Sequence, residues 1–286
     1  MRRKLIKQGK TGLTIYLPKK WVDEKELNSE DEVDIEITNE GLLINPTTTK
    51  KRSEITIQNP GDSESMIRTV LVNAYRSGFD KIIIEHKNEK LIHSIVQKHL
   101  LGFETFKQKN NEFSIESVAE PSFEEFDRLV EKILFILIDI IKELGNNNIV
   151  GIEQIQKYDN FLKRAISKNI LTIKTPFQSW SFLSNLVQIG RQAHHLHKFK
   201  EKEFSSKEKE LISLIDKMIH LVQKAYLKKN TDSLQELHEV MNKEIYNIGF
   251  NAMKTENPVN VHYLITIARN IYLSNSALIA IIQSNT

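Results

Sequence analysis

The chain has 286 residues, of which 40% are hydrophobic and 27% charged. This is the make-up of an ordinary soluble protein, and the length implies two or three domains rather than one core. The formal net charge of +3 is small, so a basic signal must be local, and the absence of cysteine excludes disulfides and thiolate metal sites and fits a reducing cytosol. The charged N-terminus has no apolar run of the signal-peptide kind. The apolar stretch from Ile133 to Ile141 contains Asp139 and is too short for a bilayer, so a cytoplasmic protein without membrane insertion is expected.

Residues 1–48 predict a first domain. A strand at Lys4 to Lys7 and another at Leu13 to Leu17, where Leu13, Ile15 and Leu17 alternate with Thr14 and Tyr16, flank a turn carrying Gly9 and Gly12. Pro18 cannot donate to a ladder and suits the start of a short helix from Lys19 to Glu26. Val33, Ile35 and Ile37 form a third strand, a turn at Asn39-Glu40-Gly41 reverses the chain, and Leu42-Leu43-Ile44 returns. So small a unit cannot bury a core alone, and an interlocked dimer is the economical solution. Its charge is polarised. Met1 to Glu26 holds eight basic residues against three acidic, whereas Leu27 to Pro46 holds six acidic residues and no basic one. The positive end is where phosphates would sit, and a dimer doubles the field. Arg2, Arg3, Lys4, Lys7, Lys10, Lys19 and Lys20 are the candidate contacts to double-stranded DNA. The bland reading is a solvated basic face, and Trp21 is read as a core or interface residue.

These residues resemble the AbrB/MazE/SpoVT swapped-hairpin DNA-binding domains. The resemblance runs from about Lys4 to Pro46 and rests on the Gly9/Gly12 turn, Leu17-Pro18-Lys19 with Trp21, Glu30-Asp31-Glu32-Val33 after Leu27, and the closing Gly41-Leu42-Leu43-Ile44. It implies a homodimer built by hairpin exchange that binds DNA.

A Thr/Lys linker, Thr47 to Ser53, leads to a small α/β connector predicted over 54–118. It contains a strand at Glu54 to Ile57, a turn at Asn59-Pro60-Gly61-Asp62, a helix at Ser63 to Ser77 and a strand at Lys81 to Glu85. A helix at Asn88 to Leu100 and a hairpin of Gly102 to Phe106 and Glu112 to Ile115 about Asn110-Asn111 complete it. It has no phosphate-cradling glycine loop and reads as a connector or second dimer contact.

From Pro121 the period becomes 3.6, and an all-α domain is predicted over 120–286. Its start signals are capping boxes at Ser122…Glu125 and Ser205…Glu208, Thr175-Pro176 and Asn257-Pro258 as cap-plus-proline pairs, and Thr231 or Ser233 as a cap. Six helices follow, ending near Gly145, Ser167, Lys200, Lys228, Met253 and Gln283. They form two tandem repeats of three, about 120–200 and 204–284, in which Leu186-Val187-Gln188-Ile189-Gly190-Arg191 parallels Leu264-Ile265-Thr266-Ile267-Ala268-Arg269. The fold class expected is thus multidomain α+β: a dimeric swapped-hairpin β domain, a small α/β connector, and two tandem three-helix bundles.

The two bundles resemble the PhoU family of phosphate-uptake regulators over about residues 120 to 284. A swapped-hairpin domain joined to such a domain is an arrangement of archaeal-type regulators. The family implies acidic pairs four residues apart and an aspartate after Ile-Gly/Ala, which together hold metal ions. Here those positions read Ile155 and Asp159, Val240 and Glu244, with Arg191 and Arg269 in place of the aspartates. Salt bridges from Asp159 to Arg191 and from Glu244 to Arg269 are expected instead of a metal cluster, so no cofactor is assigned. Asp159 and Glu244, with His194 and His197 at i, i+3, are the lesser metal candidates. No nucleophile elbow, zinc-protease motif or Walker loop is present in the sequence, so no enzyme is expected.

The resemblance therefore implies a homodimeric transcription regulator of phosphate uptake whose helical domain senses a signal through a ligand or a phosphate-signalling protein partner. The alternative is a signalling adaptor docking on a phosphate transporter or its regulators, with the N-terminal domain as a dimerisation clasp.

Overall fold

The computed structural model describes residues 3–9, 12–38, 41–46, 52–58, 60–108, 111–119, 123–145, 150–168, 173–200 and 203–284. The fold is mixed α+β, with small strand sheets near the N-terminus and a mostly helical C-terminal part. Two compact units divide the chain, residues 1–53 and 54–286.

In the first unit β1 (Ile6–Gln8) pairs antiparallel with β2 (Gly12–Thr14), followed by α1 (Lys19–Glu24). β3 (Val33–Thr38) pairs antiparallel with β4 (Gly41–Pro46) in a separate two-stranded sheet. The glycines of the first turn have a physical reason. Gly9 lies at φ +69°, a region costly for other residues, and a Cβ on Gly12 would meet the Gln8 carbonyl oxygen at 2.7 Å. Pro18 stands at the N-cap of α1 and its carbonyl accepts from the Val22 amide at 3.0 Å. The expected Asn39-Glu40 turn lies outside the described residues.

In the second unit β5 (Glu54–Ile57) runs parallel to β6 (Lys81–Glu85) through α2 (Glu64–Arg76). After α3 (Glu89–His99), β7 (Phe103–Lys107) and β8 (Glu112–Ser117) form a hairpin whose second strand pairs with β6, giving the order β5-β6-β8-β7. Ile67, Leu71 and Tyr75 of α2 and Ile92, Ile95 and Val96 of α3 are buried, together with Ile82 and Ile84 of β6. Side-chain oxygens of Ser63 and Asn88 cap the two helices.

The helical part comprises α4 (Phe123–Lys142), α5 (Ile152–Ser167), α6 (Pro176–Phe199), α7 (Ser206–Lys228), α8 (Asp232–Glu239), α9 (Tyr246–Thr255) and α10 (Pro258–Ser284). A π-helical turn at Val240–Ile245 joins α8 to α9, so the fifth helix expected from the sequence is continuous but locally widened. The Ser205/Glu208 capping box is complete, and the Asn257 carboxamide accepts from the amides of Val259 and Asn260. Thr231 holds the N-cap position without a side-chain bond, and the hydroxyl of Ser233, the other cap candidate, donates to the Leu221 carbonyl at 3.0 Å. Ser122 lies outside the described residues.

α6 and α10, the helices with matching text, pack along each other, and α10 also packs on α7. α10 is long and apolar enough to cross a membrane by length and composition, and half of its most apolar window is buried within the unit. The α/β segment, separated from the helices in the sequence reading, packs into the same unit as they do.

α5 makes that junction. Helix C-termini leave carbonyls without intrahelical partners, and α5 supplies the donors from one face. Lys157 reaches the Gln97 carbonyl at 2.6 Å and Asn160 the His99 carbonyl at 2.9 Å, both at the end of α3. Arg164, 1% exposed, donates to the carbonyls of Tyr75 at 3.2 Å and Phe79 at 2.7 Å, and to Asp80 Oδ1 at 2.9 Å.

Candidate functional site

The basic residues of the first unit stand on separate short elements. Arg3 and Lys4 precede β1, Lys7 lies on it opposite Leu13, and Lys19 and Lys20 open α1. All five are exposed. Lys20 lies 3.8 Å from Glu24 in a solvent-exposed i, i+4 pair, an interaction of small energy. Arg3, Lys4, Lys7 and Lys19 form no ion pair with a described residue. Arg2 and Lys10 lie outside the described residues. The acidic residue Asp34 belongs to the other hairpin, so the sheets segregate the charge that the sequence segregates along the chain.

The same unit lacks a core of its own. None of its described residues is buried in the single chain. Ile35 pairs with Ile44 and Ile37 with Leu42, which puts four apolar side chains on one face of the second hairpin. Ile37 is 86% exposed and Leu42 63%. In the first hairpin Leu5, Leu13 and Tyr16 are likewise open to solvent, and Trp21 is half-buried.

The second unit contains a charge cluster on three helices. Asp159 of α5 is fully buried, with Arg76 of α2 at 2.7 Å from its Oδ2 and Lys163, one turn on, at 2.8 Å from its Oδ1. Arg76 Nε also donates to Asn160 Oδ1 at 2.8 Å, and the Lys163 ammonium lies 5.3 Å from the centre of the Trp180 ring. Burial pushes the Asp159 carboxyl up, against the pull of Lys163 and Arg76. It pushes the Lys163 ammonium and the Arg76 guanidinium down, against the pull of Asp159.

The pairing expected from the sequence is therefore corrected. Asp159 takes Arg76 and Lys163 as direct partners, while Arg191 on α6 is exposed and acts on the cluster without direct contact. Lys163 wins because its i, i+4 spacing on the same helix holds it against the carboxylate. Nor is Glu244 paired with Arg269: it sits half-buried in the π turn and acts on Lys217, whereas Arg269 is exposed. The i→i+5 turn shifts the phase of the side chains that follow it.

Lys163 was open to detection in the sequence from its spacing, but Arg76, 83 residues away, carried no local signal. Among the described residues no three histidines or carboxylates gather to hold a metal ion. His194 is exposed and His197 half-buried, while the intervening His195 ring stacks in a row with Phe199 and Tyr263. An open cleft of about 920 Å³ lies at the start of α3, lined by Asp62, His86, Lys87 and Lys90 among others.

Compared with protein-family models, curated proteins and solved structures, the chain matches none.

Proposed function

We propose that the chain is a cytoplasmic, homodimeric DNA-binding transcription regulator of phosphate uptake. In this reading the first unit exchanges hairpins with a second copy, in the manner of the AbrB/MazE/SpoVT domains it resembles. The helices of the second unit, as two PhoU-like bundles, sense the signal. The protein works by binding rather than by catalysis and without membrane insertion, α10 serving as a packed core helix.

One observation carries the DNA-binding part. Arg3, Lys4, Lys7 and Lys19 are exposed and form no ion pair with a described residue, on a unit whose apolar hairpin faces are open to solvent in the single chain. A second copy covering those faces would place two such basic sets about a two-fold axis, the arrangement that reads a two-fold-symmetric site. The contacts to phosphate release counterions, so binding weakens steeply with salt.

The test is occupancy of the tagged chain on the genome in phosphate-replete and phosphate-starved cells, beside the Arg3→Ala/Lys7→Ala variant. Discrete peaks near phosphate-transport genes that change with phosphate and vanish in the variant are the expected result. Peaks elsewhere would keep the DNA-binding reading and remove phosphate from it. No peaks, together with recovery of transporter subunits in a pull-down, would replace it with the adaptor. In vitro, the double variant loses about tenfold or more in affinity at moderate salt and shows a salt slope shallower by about 2 per binding face.

A further inference from the structure

The geometry of the Asp159 cluster points to an oxyanion site: we propose that Arg76, Lys163 and Arg191 bind a tetrahedral dianion of the phosphate class at the meeting of α2, α5 and α6. A structural tie between α2 and α5 would need one cation on the buried carboxylate. Here two cations touch Asp159 and a third, Arg191, acts electrostatically on Asp159, Arg76 and Lys163 alike. Among the described residues, Asp159 is the carboxylate that acts on Arg76 and Lys163. The cluster thus holds one largely buried positive charge beyond what its acid neutralises, with Arg191 adding a second, solvent-exposed one.

Desolvating a surplus cation is unfavourable, and a bound dianion would offset that cost while its second charge met Arg191. The parts suit that ligand. The Lys163 side chain is 5% exposed and lies beside the Trp180 indole, a low-dielectric wall that strengthens attraction to an anion. Arg76, with its side chain 22% exposed, spends one edge on Asp159 and Asn160, and its remaining guanidinium nitrogen has no hydrogen bond to a described residue. Arg191 is exposed and forms no ion pair with a described residue, so its guanidinium is free to close over the anion in bidentate fashion. Asp159 repels an anion, but it is turned fully inward, where it orients Arg76 and Lys163. The phosphoryl group could belong to free inorganic phosphate or to a small phosphomonoester, and the chemistry of recognition is shared. The site gives the sensory role proposed above a ligand, and only that purpose rests on the earlier reading.

The experiment is isothermal titration of the full chain with potassium phosphate in phosphate-free buffer, chloride at equal ionic strength serving as the blank. Generic salt effects on stability are not saturable, so a saturable isotherm is the signal. Wild type is expected to show one, and Arg191→Ala to weaken it at least tenfold while unfolding at the wild-type temperature in chloride. Arg269→Ala, the equivalent exposed arginine of α10, should bind as wild type. Phenyl phosphate binding as tightly as the free ion assigns the site to phosphomonoesters, and much weaker binding assigns it to inorganic phosphate. A wild-type isotherm no different from chloride, or one unchanged in Arg191→Ala, overturns the proposal. No DNA enters the measurement, so its failure leaves the DNA-binding reading intact, and the converse also holds.

Discussion

Buried polar side chains do more than fill space in the second unit, as Arg164 and His99 show. Arg164 is held because the carbonyl of Tyr75 in the last turn of α2, that of Phe79 just beyond it and the Asp80 carboxylate need donors. His99 closes α3 as a residue 6% exposed, and burial pushes its imidazole below the ordinary value of 6.5, with Arg68, Lys98 and Lys157 adding to the effect and Glu153 opposing it. The folded state therefore holds His99 neutral at a pH where the unfolded chain begins to protonate it. The unfolded state binds the extra proton, so stability falls as pH drops below about 6.5 and stops falling below the folded value. Urea unfolding of the wild type and His99→Gln between about pH 7.5 and pH 5 checks this. The variant is expected to lose less stability on acidification. Parallel slopes in the two proteins would place the proton uptake elsewhere.

Elements built on local chemistry were legible, and those built on distant partners were not. Ser205 and Glu208 form a reciprocal pair within one turn, so spacing alone located the start of α7. Ser205→Ala removes one half of that pair and is expected to cost about 1 kcal/mol, measured as a shift in the denaturation midpoint without a change in slope. A loss indistinguishable from zero would mean that packing, rather than the cap, fixes this end. Strand β6 of the parallel pair was equally plain, because Ile82, Ile83 and Ile84 make a continuous β-branched run between Gly78 and Asn88. By contrast the face of α5 that carries Lys157, Asn160 and Arg164 looks in sequence like ordinary polar positions. Its partners are carbonyls 60 to 89 residues away, which no window can see. The π turn at Val240–Ile245 was hidden for a related reason. It preserves helicity, alters only the phase, and thereby undid the expected Glu244–Arg269 pair.

At the scale of the whole molecule the two units differ in how they are held together. Residues 54–286 bury an extensive core of their own, whereas residues 1–53 bury none of their described side chains in a single chain. That contrast gives the proposed dimer a sharp test at Ile37. For a monomer, Ile37→Glu alters a side chain 86% exposed to water, and such surface changes usually fall within about 0.5 kcal/mol. In a dimer whose second hairpin packs its Ile35, Ile37, Leu42 and Ile44 face against a second copy, the same change buries an unpaired carboxylate twice, once per copy. Sedimentation velocity of wild type and variant across a range of concentrations separates the two cases. The expected outcome is a dimeric wild type and a variant that dissociates, with DNA affinity falling at least tenfold because one basic set replaces two. The second unit should keep its melting transition, since its core lies entirely within residues 54–286. A wild type that sediments as a monomer, or a variant that stays dimeric at the same concentration, would remove the second copy from this face and with it the two-fold DNA-binding arrangement.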